Sequence, residues 1–331
     1  MDAWLSLAAG GPETLVRGEA PDPVPGPGQV LVRVGATALN HPDALMIEDF
    51  YQFRPQRPFA PGMEVAGTVL ALGDGVDGLK AGDRVCALCG HGGLAERVAV
   101  DAWKCFAIPD AMPLDIAAAL LMTYGTSIHA LLDRLTVAAG ETMLVLGAAG
   151  GIGLSAVDLG KALGARVVAG VSSPGKAEAV RAAGADAAVV YPPGPLDKAA
   201  SRALADAFKA ECPAGYAVIL DPVGGPYAEP ALRAIGWEGR YGVAGFTAGI
   251  AALPLNLPLL KACGVVGIFW GSWIERNRAR FAEETAMLFD LWGKGLIAPR
   301  VSRRFAFAEA PAALARMKGR GAIGKLVVMR D

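Results

Sequence analysis

Met143-Leu144-Val145-Leu146-Gly147-Ala148-Ala149-Gly150-Gly151-Ile152-Gly153 decides the fold. Four apolar residues make a run suited to a buried strand, a glycine-rich turn follows, and Leu154–Leu163 continues with a helical pattern. Gly150 and Gly153 take the second and third places of a dinucleotide fingerprint, with Ala148 where the first glycine is usual. The second glycine lets the backbone approach a pyrophosphate and the third lets the helix pack on the strand. The helix N-terminus then offers unpaired N–H groups to the phosphate charge. Ala148, Gly150, Gly151, Ile152 and Gly153 are therefore candidate cofactor contacts.

The same texture continues on the C-terminal side of this turn. Arg166–Val171, Ala187–Val190, Ala217–Leu220 and Arg240–Ala244 read as further buried strands. Pro174–Ala183, Leu196–Ala210 and Tyr227–Ile235 read as the intervening helices. This alternation predicts a doubly wound parallel sheet that binds ligand at the carboxyl ends of its strands. The end of the second strand selects the dinucleotide, because an NAD site places an acid there for the ribose 2′-OH. This chain has Val171-Ser172-Ser173-Pro174-Gly175-Lys176 and no acid before Glu178. Hydroxyls and an ammonium suit a 2′-phosphate, so Ser172, Ser173 and Lys176 point to NADPH. Capping of the next helix by the serines is compatible with that role.

Three zones follow: 1–120, rich in Gly, Pro and short β-type runs; 121–267, the strand–helix alternation; and 268–331, with a long helix over Arg276–Trp292 and a final strand over Lys325–Met329. The first zone reads as an irregular antiparallel β domain. The chain has 331 residues, 43 of them glycine, and 53% are hydrophobic against 19% charged, enough apolar surface for a large core. Its 31 basic and 32 acidic residues nearly cancel, which argues against nucleic acid or an anionic membrane as partner. The longest uncharged stretch, between Arg240 and Lys261, is broken by Gly242, Gly245, Gly249, Pro254 and Pro258, so no membrane span is expected. Met1-Asp2-Ala3 opens no secretory signal, and five cysteines make no disulfide framework, so a cytoplasmic location is expected. Cys86 and Cys89 form a lone CxxC without a second pair, and a buried apolar role suits them better than metal or redox chemistry. His41, His91 and His129 have no partners at ligand or catalytic spacing along the chain.

Asn40-x-x-Asp43, Pro61-Gly62-Met63-Glu64-Val65-Ala66-Gly67, Gly82-Asp83-Arg84-Val85, Gly93-Leu94-Ala95-Glu96, Thr123-Tyr124-Gly125-Thr126, Asp221-Pro222-Val223-Gly224-Gly225 and Gly324-Lys325 occur in that order. Over nearly its whole length the chain resembles the zinc-free quinone oxidoreductases of the medium-chain dehydrogenase/reductase superfamily. The resemblance implies an α/β chain in which a GroES-like, β-rich catalytic domain is split around a Rossmann domain, often dimeric through the latter. Zinc-bearing relatives use a Cys, a His before the Glu of a Gly-His-Glu motif, and a second Cys. The first two of these positions align with Asn40 and Met63, and an amide and a thioether do not make a Zn²⁺ site, so no catalytic metal is expected.

Without a Lewis acid, the chemistry implied is hydride addition from NADPH to a quinone or related α,β-unsaturated carbonyl, a small-molecule substrate. The resemblance places Asn40, Asp43 and Tyr51 at the reacting centre and Thr126 beside the nicotinamide. Bland readings stand beside these: Asn40 closing a turn, Asp43 capping a helix, and Tyr51 packing with Phe50 and Phe53. Tyr191, Gly245, Phe246 and Lys325 join the candidate cofactor contacts. Phe269 and Trp270 read as pocket wall or dimer contact. Two alternatives remain, an enoyl-thioester reductase using Arg54 and Arg57 for its carrier, and a low-turnover NADPH-binding protein with a structural role.

Overall fold

Val30, Val32 and Val34 are buried on one face of a ten-residue strand while Leu31, Arg33 and Gly35 alternate with them, the period-two pattern of a sheet with a single core face. The computed structural model describes residues 1–319 and 322–330. In chain order its strands are β1 (Asp2–Leu5), β2 (Val16–Glu19), β3 (Gln29–Ala38), β4 (Glu64–Leu72), β5 (Arg84–Leu88), β6 (Arg97–Asp101) and β7 (Cys105–Ala107). There follow β8 (Thr142–Leu146), β9 (Arg166–Val171), β10 (Ala187–Val190), β11 (Tyr216–Asp221), β12 (Ile235–Val243), β13 (Gly264–Gly267), β14 (Val301–Ala306) and β15 (Lys325–Met329).

The chain divides into two units, Met1–Met122 with Pro299–Asp331, and Thr123–Ala298. In the first, β3 is the hub. One edge pairs antiparallel with β4; the other pairs with β6 over Gln29–Arg33 and with β15 over Ala36–Ala38. The sheet runs β14-β15-β3-β4-β5-β7, and its core is a valine cluster of Val30, Val32, Val34, Val65, Val69 and Val85 with their neighbours. This is the GroES-like β-rich domain that the resemblance implies.

The second unit is a six-stranded parallel sheet in the order β10-β9-β8-β11-β12-β13. Its strands are apolar without alternation, as burial on both faces requires: Met143–Leu146 and Val218–Leu220 are all fully buried. Chain direction across the sheet reverses at β8 and β11, so the ligand-binding switch point of a doubly wound fold falls where those strands end. The uncharged stretch before Lys261 resolves into the end of β12, a loop and the short helix Asn256–Lys261, and no helix among the described residues is long and apolar enough to cross a membrane.

One expected boundary is displaced. Residues 268–298 belong to the second unit, whereas the sequence reading assigned 268–331 as a whole to the catalytic domain. The reason lies in packing: β13 adds to the parallel sheet beside β12, and the Trp270 ring then meets Phe281 of helix Arg278–Gly293 edge-on at 5.5 Å. Nothing in composition marks the crossing at Pro299.

Candidate active site

The turn after β8 has the backbone that a phosphate cradle needs. Gly147 sits at φ +59°, left-handed and suited to glycine. A Cβ on Gly153 would lie 2.3 Å from the Gly147 carbonyl oxygen and 2.5 Å from Ala148 Cα, so the third glycine permits the close helix-to-strand approach. Gly150 is the N-cap of helix Gly151–Ala162, and no side chain caps its first turn. The N–H groups of Gly151, Ile152 and Gly153 therefore belong to an uncapped, half-exposed helix start, an anion-binding end. Ala148 is buried beneath it.

The neighbouring strands deliver the other candidates to the same carboxyl edge. After β9, Ser173 caps helix Pro174–Ala182, its Oγ accepting the Lys176 N–H at 3.4 Å. The Lys176 ammonium reaches Ser172 Oγ at 3.0 Å on an exposed surface, so hydroxyl and ammonium stand together where NAD sites carry an acid. After β11, Asp221 Oδ1 accepts the N–H groups of Val223 (2.7 Å) and Gly224 (2.8 Å), and Tyr241 donates to Oδ2 at 2.5 Å. Asp221 thus fixes the loop that packs under Gly245, whose Cβ would meet the Pro222 carbonyl oxygen at 2.9 Å. Phe246 and Phe269, following β12 and β13, are largely exposed.

Three of the expected cofactor contacts are buried side chains. Tyr191 is buried in the core with its ring against Tyr227, centroids 4.4 Å apart. Trp270 is 3% exposed and lies so close to Gly125 that a Cβ there would be 2.4 Å from Cζ2. This explains the glycine of Thr-Tyr-Gly-Thr. In the same motif Tyr124 donates to Asp158 at 2.5 Å, and Thr126 is buried in helix Leu121–Ile128.

The third, Lys325, opens β15 in the first unit, where a buried polar cluster forms. Its ammonium donates to Asn40 Oδ1 at 2.6 Å and to Glu64 Oε2 at 3.1 Å. Asn40 Nδ2 donates to the same Glu64 oxygen at 3.0 Å and to the Ala38 carbonyl at 3.2 Å, and Glu64 Oε1 accepts the Met122 N–H at 2.8 Å. Asn40 also caps helix His41–Ile47, where Asp43 Oδ2 accepts the Asn40 backbone N–H at 2.7 Å, as the capping reading expects. The other Asp43 oxygen is buried without a hydrogen-bond partner. Burial lifts the Asp43 carboxyl to about 7, against the pull of the Asn40 N–H and the Lys325 charge. Tyr51 is half-buried against the neighbouring apolar cluster, and burial, with the Asp43 charge, raises its phenol. Glu64 is the site residue that sequence reasoning missed, although it stands in the quoted Pro-Gly-Met-Glu motif.

Burial pushes every thiol of the first unit, Cys86, Cys89 and Cys105, up, Cys105 to about 12, which suits inert apolar packing. Arg57 is engaged with Ser6, the Ile47 carbonyl and Asp49, and is not available to a thioester carrier. His129 does have partners, Asp133 at 3.4 Å and Glu284 at 3.7 Å, contrary to the sequence reading.

Comparison with known proteins matches residues 26–110 to the alcohol dehydrogenase GroES-like domain and 151–289 to the zinc-binding dehydrogenase family. Quinone oxidoreductase-like protein 2 of Bos taurus is 36% identical over 304 residues, covering 91% of this chain and 85% of its own. The chain belongs to the medium-chain dehydrogenase/reductase superfamily, in its quinone oxidoreductase-like branch. Among solved structures of similar proteins, a probable oxidoreductase from Mycobacterium abscessus superposes with a TM-score of 0.88 at 34% identity, covering 100% of this chain and 99% of that one. Escherichia coli quinone oxidoreductase, solved with NADPH, gives 0.89 at 26% identity with 100% of both chains covered.

The medium-chain dehydrogenase/reductase superfamily includes zinc enzymes, and here Asn40 and Met63 align with ligand positions. The Lys325 ammonium is held by Asn40 and Glu64, so a cation built into the fold meets the carboxylate. An amide and a thioether at two of the ligand positions do not suit Zn²⁺.

Proposed function

We propose that the chain is a zinc-independent, NADPH-dependent reductase that transfers hydride to a quinone or a related α,β-unsaturated carbonyl. The observation that carries this reading is the internally neutralised Asn40–Glu64–Lys325 cluster, flanked by Asp43 and Tyr51, in a chain that also has an uncapped glycine turn and the Ser172–Lys176 pair. When bound, the cofactor supplies hydride at nicotinamide C4. Gly151, Ile152 and Gly153 hold its pyrophosphate, and Ser172, Ser173 and Lys176 hold its 2′-phosphate. Lys325 and Glu64 fix the Asn40 amide, Tyr51 keeps its phenolic proton and donates a hydrogen bond to the acceptor's oxygen, and Asp43 retains a proton near neutral pH for the reduced product.

Exposed apolar side chains support a homodimer. β13 is an edge strand paired on one side, with Val265 exposed and Leu255, Leu259, Leu260 and Trp237 exposed on neighbouring elements. Five free cysteines suit a reducing, cytoplasmic compartment. The test is NADPH oxidation, followed by its absorbance, with 1,4-benzoquinone and with crotonyl-CoA. Turnover with benzoquinone is expected, and it persists in the presence of chelator. NADPH binding without oxidation by either acceptor would leave a cofactor-binding protein, and turnover with crotonyl-CoA alone would make the chain an enoyl-thioester reductase.

A further inference from the structure

We propose that His129, Asp133 and Glu284 of the second unit form a binding site for one divalent transition-metal ion of the Zn²⁺ or Co²⁺ kind, outside the residues assigned to the cofactor and to the reacting centre. One imidazole nitrogen and two carboxylate oxygens lie within 4.8 Å of one another. His129 Nδ1 is 3.4 Å from Asp133 Oδ2 and 3.7 Å from Glu284 Oε1. These separations are long for hydrogen bonds. They match the spacing of adjacent ligands around a tetrahedral ion with bonds of about 2.0–2.2 Å.

The second observation is Glu284 itself. Its side chain is fully buried, and neither oxygen makes a hydrogen bond of ordinary length, although His129 and Asp133 stand beside it. A carboxylate so placed must be neutralised, by a proton or by a cation. The backbone is shaped around the same point. His129–Arg134 is a π-helical turn, closed by the Leu135 N–H on the Ala130 carbonyl at 2.8 Å, and such turns are rare and concentrate at functional sites. It carries two of the ligands, and helix Arg278–Gly293 carries the third.

Arg280, on that helix, donates to Asp133 Oδ1 at 2.8 Å, with a longer contact to Oδ2 at 3.4 Å, which orients the carboxylate as outer-shell partners of metal ligands do. Asp133 is partly exposed and marks the way in from solvent. A nitrogen with two oxygens, and water for the fourth position, favours Zn²⁺ and Co²⁺ over Ca²⁺, which takes six to eight oxygens. The ion would tie the π-helical turn to the long helix.

The Trp273 ring lies 4.0 Å from the His129 ring and reports on occupancy. The untagged, full-length chain, stripped with chelator, is titrated with Co²⁺ while its visible absorption and tryptophan fluorescence are followed. One Co²⁺ per chain is expected, displaced by Zn²⁺. Glu284→Gln and His129→Gln are each expected to weaken binding on the order of 100-fold, at the upper end of what loss of an outer-shell partner costs. Benzoquinone turnover separates this proposal from the functional one, since it does not pass through these residues. Absence of saturable Co²⁺ binding by the wild-type chain, or binding unchanged in both variants, overturns the proposal and leaves Glu284 as a protonated acid paired with Asp133.

Discussion

The two units each bury ionisable side chains and treat them in opposite ways. In the first, Glu64 and Asn40 close on Lys325, so the buried anion meets a cation from its own chain. In the second, Glu284 is as deeply buried, yet Arg280 reaches Asp133 and not Glu284. The contrast shows two solutions to one electrostatic problem: a lysine tethered by the fold, or a position left for a proton or a mobile ion.

The hardest way to break the contrast is to remove the tethered cation. Lys325→Met leaves Glu64 buried and unpaired, and a loss of about 3–5 kcal/mol in urea unfolding is expected. Adding Glu64→Gln should recover most of it; additive losses would show that the pair is not coupled. Asp43 sharpens the comparison through pH. Its carboxyl is raised in the folded chain to about 7, so the folded state holds a proton that the unfolded state has lost. That contribution is complete below the unfolded value near 4 and is lost as pH rises toward 7, a change on the order of a few kcal/mol. Asp43→Asn should flatten stability across that window, and the wild-type turnover should fall as pH rises through about 7. A stability profile of the same slope in both chains would contradict the assignment.

The glycine turn of the second unit gives a smaller expected effect. Gly153→Ala sets a methyl against the Gly147 carbonyl and should cost about 1–3 kcal/mol, with NADPH binding weakened alongside. Ser172→Asp places a carboxylate next to Lys176 and the 2′-phosphate, and about tenfold weaker NADPH binding with NADH unchanged is expected by calorimetry, roughly 1.4 kcal/mol. Equal losses for both cofactors would remove the basis for choosing NADPH. Val265→Lys on the exposed edge strand should shift light-scattering mass from dimer to monomer with little change in unfolding.

What was legible in the sequence was local. The β8 turn was readable because strand, glycines and helix are contiguous, and Ser172 to Lys176 because one helix start carries them all. The Asn40–Lys325 bond joins residues 285 apart, and Lys325–Glu64 residues 261 apart, so the pairing of Lys325 with Glu64 has no local signature. His129 looked unpartnered for the same reason, since one of its two partners arrives on a distant helix. The burial of Trp270 and Tyr191 was not legible because apolar residues near strand ends serve a pocket or a core equally well, and their packing on Gly125 and Tyr227 is set by the fold.

The two strands at the end of the chain, β14 and β15, complete the sheet around β3, and Lys325 opens the last of them. The parallel-sheet unit, by contrast, is one continuous stretch, Thr123–Ala298. The unit Thr123–Ala298 therefore has every strand of its sheet before β14 and β15 are synthesised, whereas Glu64 in β4 gains its counter-charge only once Lys325 has followed it out of the ribosome.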